Sequence, residues 1–149
     1  MASVFHVARY VVERIEKITS MKLQKLVFYC QAYNLAWYDV PLFDEDFQAW
    51  ANGPVCPELF EKHKGMFRLN NDFLKEYSGF GFSDEDKDTM DSIIEHYGDK
   101  TPEWLSQLTH MEAPWRIARG STPIGDSCTT IITKDSMQAY YGGLARGEE

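Results

Sequence analysis

The chain has 149 residues, with 15 Lys and Arg against 23 Asp and Glu, for a formal net charge of −8. Its 44% apolar and 26% charged residues describe a globular protein with one hydrophobic core, too short for two. A pI near 5.0 gives no electrostatic footprint for nucleic acid. No stretch is apolar over the roughly 18 residues of a membrane span, and no basic-then-apolar leader opens the chain. Cys30, Cys56 and Cys128 are odd in number and far apart, which argues against a disulfide framework and a structural zinc site. The expectation is a reduced, cytoplasmic, single-domain acidic protein.

Apolar residues at Val4, Val7, Ala8, Val11, Val12, Ile15 and Ile18 predict a first amphipathic helix over Val4 to Ile18. Thr19 or Ser20 is a suitable cap for a second, from about Lys22 to Tyr38, ended by Asp39-Val40-Pro41. Its spine is Leu23, Leu26, Val27, Cys30, Tyr33, Asn34 and Trp37, and Phe28, Tyr29 and Leu35 make it apolar nearly all round. Such a helix is expected at the centre of the domain. Phe47, Ala49 and Trp50 suit a short extended piece, Asn52-Gly53-Pro54 a turn, and Pro57 the start of a short helix through His63 that Gly65 stops.

Residues 66–82 show no period and read as loop. Ser83 followed by Asp84, Glu85 and Asp86 starts a helix by hydroxyl capping and acids at the positive end of the dipole; Gly98 closes it. Thr101-Pro102 starts another to about His110, and Pro114 opens a short helix or turn. Residues 119–130 read as loop. Thr133 caps a last helix from Lys134 to Tyr141, ended by Gly142-Gly143. The expected fold is mainly α, a compact single helical domain over residues 1–141 with room for a short two-stranded β element. Residues 142–149 are expected as a flexible tail.

The chemistry of enzymes leaves little trace. His6, His63, His96 and His110 show no H-x-x-x-H spacing, and Cys56 with His63, almost two helical turns apart, is the nearest approach to a metal pair. Nucleophile and P-loop motifs are absent. The runs Asp44-Glu45-Asp46 and Asp84-Glu85-Asp86 are better explained as a solvated loop and a helix start than as acid/base pairs. No catalytic residue, metal or cofactor is therefore assigned. What stands out is the aromatic content, 14%, in two clusters beside turn-forming Gly and Pro: residues 50–55 (WANGPV) and 109–115 (THMEAPW). Rigid aromatics on such a platform make preorganised anchors for a protein partner, and core plugs equally well. The partner-binding candidates are Trp50, Gly53, Pro54, Val55, His110 and Trp115.

The stretches MKLQKLVFYCQAYNLAWY (21–38) and PLFDEDFQAWANGPVCPELF (41–60), with LSQLTH at 105–110 and PWRIA at 114–118, resemble the Panacea family, also described as SocA-like or GepA-like. Cys30 stands where the resemblance leads one to expect Ala. The resemblance implies an antitoxin, often prophage-encoded, that neutralises a protein toxin encoded next door by direct contact, without catalysis. It also leaves open an adaptor that hands the toxin to an ATP-dependent protease. A third reading, of a different class, is an enzyme or small-ligand protein using clefts beside Trp50 or His110. Neither direct nucleic-acid binding nor membrane association is expected. The negative charge suits a basic partner through long-range steering, and ordinary solubility equally.

Overall fold

The computed structural model describes residues 1–145. In chain order it has α1 (Val4–Arg14), α2 (Ser20–Tyr38), β1 (Phe47–Trp50), β2 (Gly53–Val55), α3 (Pro57–His63), α4 (Asp84–Tyr97), α5 (Pro102–Met111), α6 (Ala113–Arg119), β3 (Ile131–Ile132) and α7 (Lys134–Ala145). A single 3₁₀ turn at Lys75–Tyr77 interrupts the predicted 66–82 loop. The mainly α domain is as expected, and its β element has three strands rather than two. They form an antiparallel sheet in the order β2-β1-β3, with Gln48 opposite Val55 and Phe47 opposite Ile132.

Helix α2 is the axis of the fold. Every residue from Leu23 to Ala32 is buried, and α1, α4, α5, α7 and β2 all pack against it. Thr19 caps it by accepting the Lys22 N–H, and Asp39 ends it in the left-handed conformation. A helix surrounded in this way carries side-chain amides into the interior, and each must find partners. Gln31 solves this as a strand would: its Nε2 donates to the Phe43 carbonyl at 2.8 Å and its Oε1 accepts the Leu42 N–H at 2.7 Å. Asn34 donates to the Val40 carbonyl at 2.9 Å and accepts from the Thr89 hydroxyl at 2.8 Å, tying α4 to α2.

Three boundaries differ from those the sequence predicts. Helix α1 stops at Arg14, because Lys17 takes a positive φ of 53° and the chain turns so that the Ile18 carbonyl accepts the Leu69 N–H. Ile15 and Ile18 still face the core, so the apolar stripe outlasts the helix. Asn52-Gly53-Pro54 is not wholly a turn: Ala51 and Asn52 form the hairpin tip, and Gly53 and Pro54 already belong to β2. Helix α7 does not end at Gly142-Gly143; both glycines are buried, and packing on α2 and α6 carries the helix to Ala145 against their low propensity. The rest of the expected tail, residues 146–149, lies outside the described residues. The Asp44-Glu45-Asp46 run also does more than solvate a loop: Glu45 accepts the Val4 N–H at the start of α1 and Asp46 pairs with Lys134 of α7 at 2.8 Å.

Replacing Gln31 by Leu keeps the volume but leaves the Leu42 N–H and Phe43 carbonyl buried without partners. The expected loss is about 2–4 kcal/mol of unfolding free energy, read by chemical denaturation with an unchanged m-value.

Candidate functional site

The two aromatic clusters singled out in the sequence form one structure. Three carbonyls of the β1–β2 hairpin accept hydrogen bonds from α5 and α6: Ala49 from Arg119 at 2.9 Å, Trp50 from the Trp115 indole at 2.9 Å, and Asn52 from Ser106 at 2.7 Å; the His110 imidazole lies beside the Ala51 carbonyl between them. Hairpin-tip carbonyls would ordinarily face water; here side chains spaced along two helices hold these three. Trp115 knits the donors together. His110 stacks on it with ring centres 4.0 Å apart, and the Arg119 guanidinium lies 4.9 Å from its centre. Arg119 is buried yet has no carboxylate partner among the described residues. Its remaining donors go to the Pro123 and Asp126 carbonyls at 2.8 and 2.7 Å, which fold the 119–130 loop back onto the hairpin.

Beside the hairpin opens a cavity of about 540 Å³, walled by Met21, Trp50, Val55, Phe60 and Met66 and by the polar residues Gln24, Lys25, Asn52, His63 and Ser127. Trp50 meets Phe60 edge-on at 5.0 Å and anchors its own indole N–H on Gln48 at 2.8 Å. Gln24 of α2 fixes the opposite wall: its Oε1 accepts the Cys56 N–H at 2.9 Å and its Nε2 meets Nε2 of His63 at 2.9 Å. With the amide donating, that geometry requires a neutral imidazole. Burial holds the His63 pKa below its ordinary value, and the charge of Lys25 lowers it further. Cys56 and His63, the pair with the nearest metal spacing, thus meet on an amide. Burial pushes the Cys56 thiol up to about 12, away from the thiolate a metal needs.

Lys25 is the unusual group. It is 1% exposed, it lines the cavity, and no hydrogen bond or ion pair satisfies its ammonium among the described residues. Burial alone depresses its pKa to about 8, so the charge persists at neutral pH. Its stem passes under β2, where a Cβ built on Gly53 would lie 2.5 Å from the Lys25 Cε; Gly53 also has φ of 122°. The positive φ favours glycine there, and any side chain would also have to displace the Lys25 stem. The same charge, after burial, helps to hold His110 neutral, and Nε2 of His110 is buried without a partner.

The sequence candidates divide accordingly. Trp50 and Val55 line the cavity; His110 is half-buried on α5; Gly53, Pro54 and Trp115 are buried and hold the hairpin in place. Lys25, Gln24 and His63 were not singled out for the cavity by sequence reasoning. Their signal was present, since Gln24-Lys25 interrupts the nearly all-round apolar surface of a central helix. No helix among the described residues is long and apolar enough to cross a membrane.

Replacing Lys25 by Met should stabilise the fold by about 3 kcal/mol at pH 7, because the buried charge is removed and the stem retained. The advantage has a defined pH window. Below about pH 8 folded and unfolded lysine are both protonated and the full cost is present. Above it the folded lysine releases its proton first, so the native protein gains stability as pH rises, until the unfolded lysine also titrates near its ordinary value. The difference between the two proteins should therefore shrink from pH 8 upward, as read by denaturation at a series of pH values.

Neither a curated protein nor a solved structure matches the chain. A family model does: the one described as antitoxin SocA-like, Panacea domain, matches residues 23–116, from the first turn of α2 into α6, and so takes in the hairpin, Ser106, His110 and Trp115 beside it, and Lys25, while Arg119 lies just beyond. The chain belongs to the SocA-like Panacea-domain antitoxin family.

Proposed function

We propose that this protein is an antitoxin that neutralises a cognate protein toxin by stoichiometric binding, through the face bearing the Trp50 cavity. Family membership supports the antitoxin role. The surface around the cavity mouth supports its placement: Met21, Met66 and the neighbouring Phe67 are 38%, 49% and 69% exposed. Flexible thioethers beside an aromatic ring make an adaptable contact surface, and a concave apolar centre within it suits an anchoring side chain from the partner. Trp50 and Val55 meet that anchor from the cavity wall. Gly53, Pro54, His110 and Trp115 act at one remove, by fixing the hairpin. The overall negative charge favours a basic toxin and speeds the encounter at low salt. The toxin is encoded beside the antitoxin, both proteins act in the cytoplasm, and neutralisation needs no cofactor or chemistry on the toxin.

The test is co-expression with the adjacent reading frame, followed by purification. A complex of fixed stoichiometry and rescue of growth are expected without any protease. Rescue that vanishes in a strain lacking ATP-dependent proteases would instead assign the adaptor role, and substoichiometric, permanent inactivation of the toxin would overturn both. Replacing Met66 and Phe67 together by Asn should abolish rescue and complex formation while leaving the melting temperature nearly unchanged, since both side chains are exposed. Trp50→Ala should weaken binding with a modest loss of stability. His110→Ala should act mainly by lowering the melting temperature.

A further inference from the structure

The antitoxin reading uses the rim of the cavity and its apolar walls but leaves its most costly feature idle. A lysine so nearly buried, its ammonium opening only on the cavity and without a counter-ion, opposes folding unless something compensates the charge. The surroundings of Lys25 indicate what that is. Although the chain carries 23 Asp and Glu, none lines this cavity; its ionisable walls are Lys25, Lys64, His63 and Cys128. Helix α2 adds its N-terminal end, with Ser20 and Met21 on the wall and no acidic residue in its first turn. The cavity is thus a positive, largely apolar recess in an acidic protein, within the size range of small-ligand sites.

We propose that the cavity binds a monocarboxylate borne on an apolar group, with the Lys25 ammonium as its counter-ion and Met21, Trp50, Val55 and Phe60 enclosing the apolar body. One buried cation without an arginine fork or a glycine-rich loop suits one negative charge, and a dianionic phosphate would stay undercompensated. Ser20, Asn52 and Ser127 on the same walls offer hydrogen bonds to a second oxygen or to an adjoining amide. Two sources carry this chemistry: the carboxyl terminus of a polypeptide ending in an apolar residue, and a free aromatic or aliphatic acid. The site shares Trp50 and Val55 with the proposed toxin anchor and adds Lys25 to them, yet the two readings fail separately, because rescue is tested at the exposed Met66 and Phe67 and acid binding at Lys25. Loss of rescue with acid binding intact sinks only the antitoxin reading, and loss of acid binding with rescue intact sinks only this one.

The experiment titrates the full chain with N-acetyl-L-phenylalanine, its uncharged amide, and 3-phenylpropionate, following Trp fluorescence and amide NMR shifts. Both acids are expected to bind and to shift resonances of Lys25, Trp50 and Phe60. The amide should bind at least about tenfold more weakly. Equal binding of the two acids would assign the free acid as occupant; tighter binding of the N-acetylated one would assign a polypeptide terminus. Lys25→Met should abolish the preference for acid over amide while raising the melting temperature, a pairing that a merely structural lysine would not give. Lys25→Gln provides a second variant, and the comparison of acid with amide on the unmodified protein needs none. Absence of binding by either acid at millimolar concentration, equal affinity for the amide, or unchanged acid binding by Lys25→Met would each overturn the proposal.

Discussion

Three carboxamides project from α2 into the interior, and the chain around that helix is placed by what they bond. Gln24 grips the backbone of Cys56, Gln31 that of Leu42 and Phe43, and Asn34 the Val40 carbonyl and the Thr89 hydroxyl. A helix buried on all sides offers no backbone donors or acceptors to its neighbours, since its own ladder uses them. Side-chain amides restore that capacity, and an amide lacking its partner in a dry interior would cost more than the bond returns. The positions of these residues along α2 therefore set where the loop after α2, the start of α3 and the face of α4 must lie. A Leu-rich helix of equal burial would hold its neighbours by volume alone and fix their register less sharply.

The hairpin shows the same economy from the other side. Its strands are short, and two-stranded ribbons of this length are marginal in water. Arg119, Trp115 and Ser106 supply donors for the carbonyls of Ala49, Trp50 and Asn52, so α5 and α6 hold the ribbon from one side while β3 pairs with its other edge. Arg119 is notable among them: a buried guanidinium satisfied by carbonyl oxygens and an aromatic face, with no need of a carboxylate. These bonds fix the hairpin that forms one wall of the cavity.

Glu112 and Lys25 are both buried ionisable groups, and the protein treats them in opposite ways. Glu112 accepts hydrogen bonds from the hydroxyls of Tyr29 and Tyr141 at 2.6 and 2.9 Å, and its raised pKa reflects burial partly offset by those bonds. It links α2, α6 and α7 and is spoken for within the fold. Lys25, one helical turn before Tyr29, has no such partners among the described residues and faces a cavity. Lys25 is thus the buried cation that the fold does not pair with a group of its own among the described residues, and it opens on the cavity beside the hairpin.

The helices were legible because their determinants are local. Thr19, Ser83 and Thr101 cap where a hydroxyl meets a helix start, Pro57 and Pro102 open their helices, and the apolar surface of α2 announces its central place. The Panacea-domain resemblance was legible as well, because its motifs are contiguous in the chain. What the sequence could not set is whatever depends on distant partners. Strand β3 is two isoleucines with no period to read, and it becomes a strand through Phe47 and Gln48, more than eighty residues earlier. Helix α7 outlasts its glycines because α2 and α6 cover them. Sequence named Trp50, Gly53, His110 and Trp115 as special residues, but their roles emerged only when tertiary packing set two helices against the hairpin. Lys25 looked like one cation on a crowded helix until folding buried its stem and left its ammonium at the cavity with no partner among the described residues. Local chemistry chose the elements; desolvation and non-local hydrogen bonding, which exist only once the elements meet, made the site.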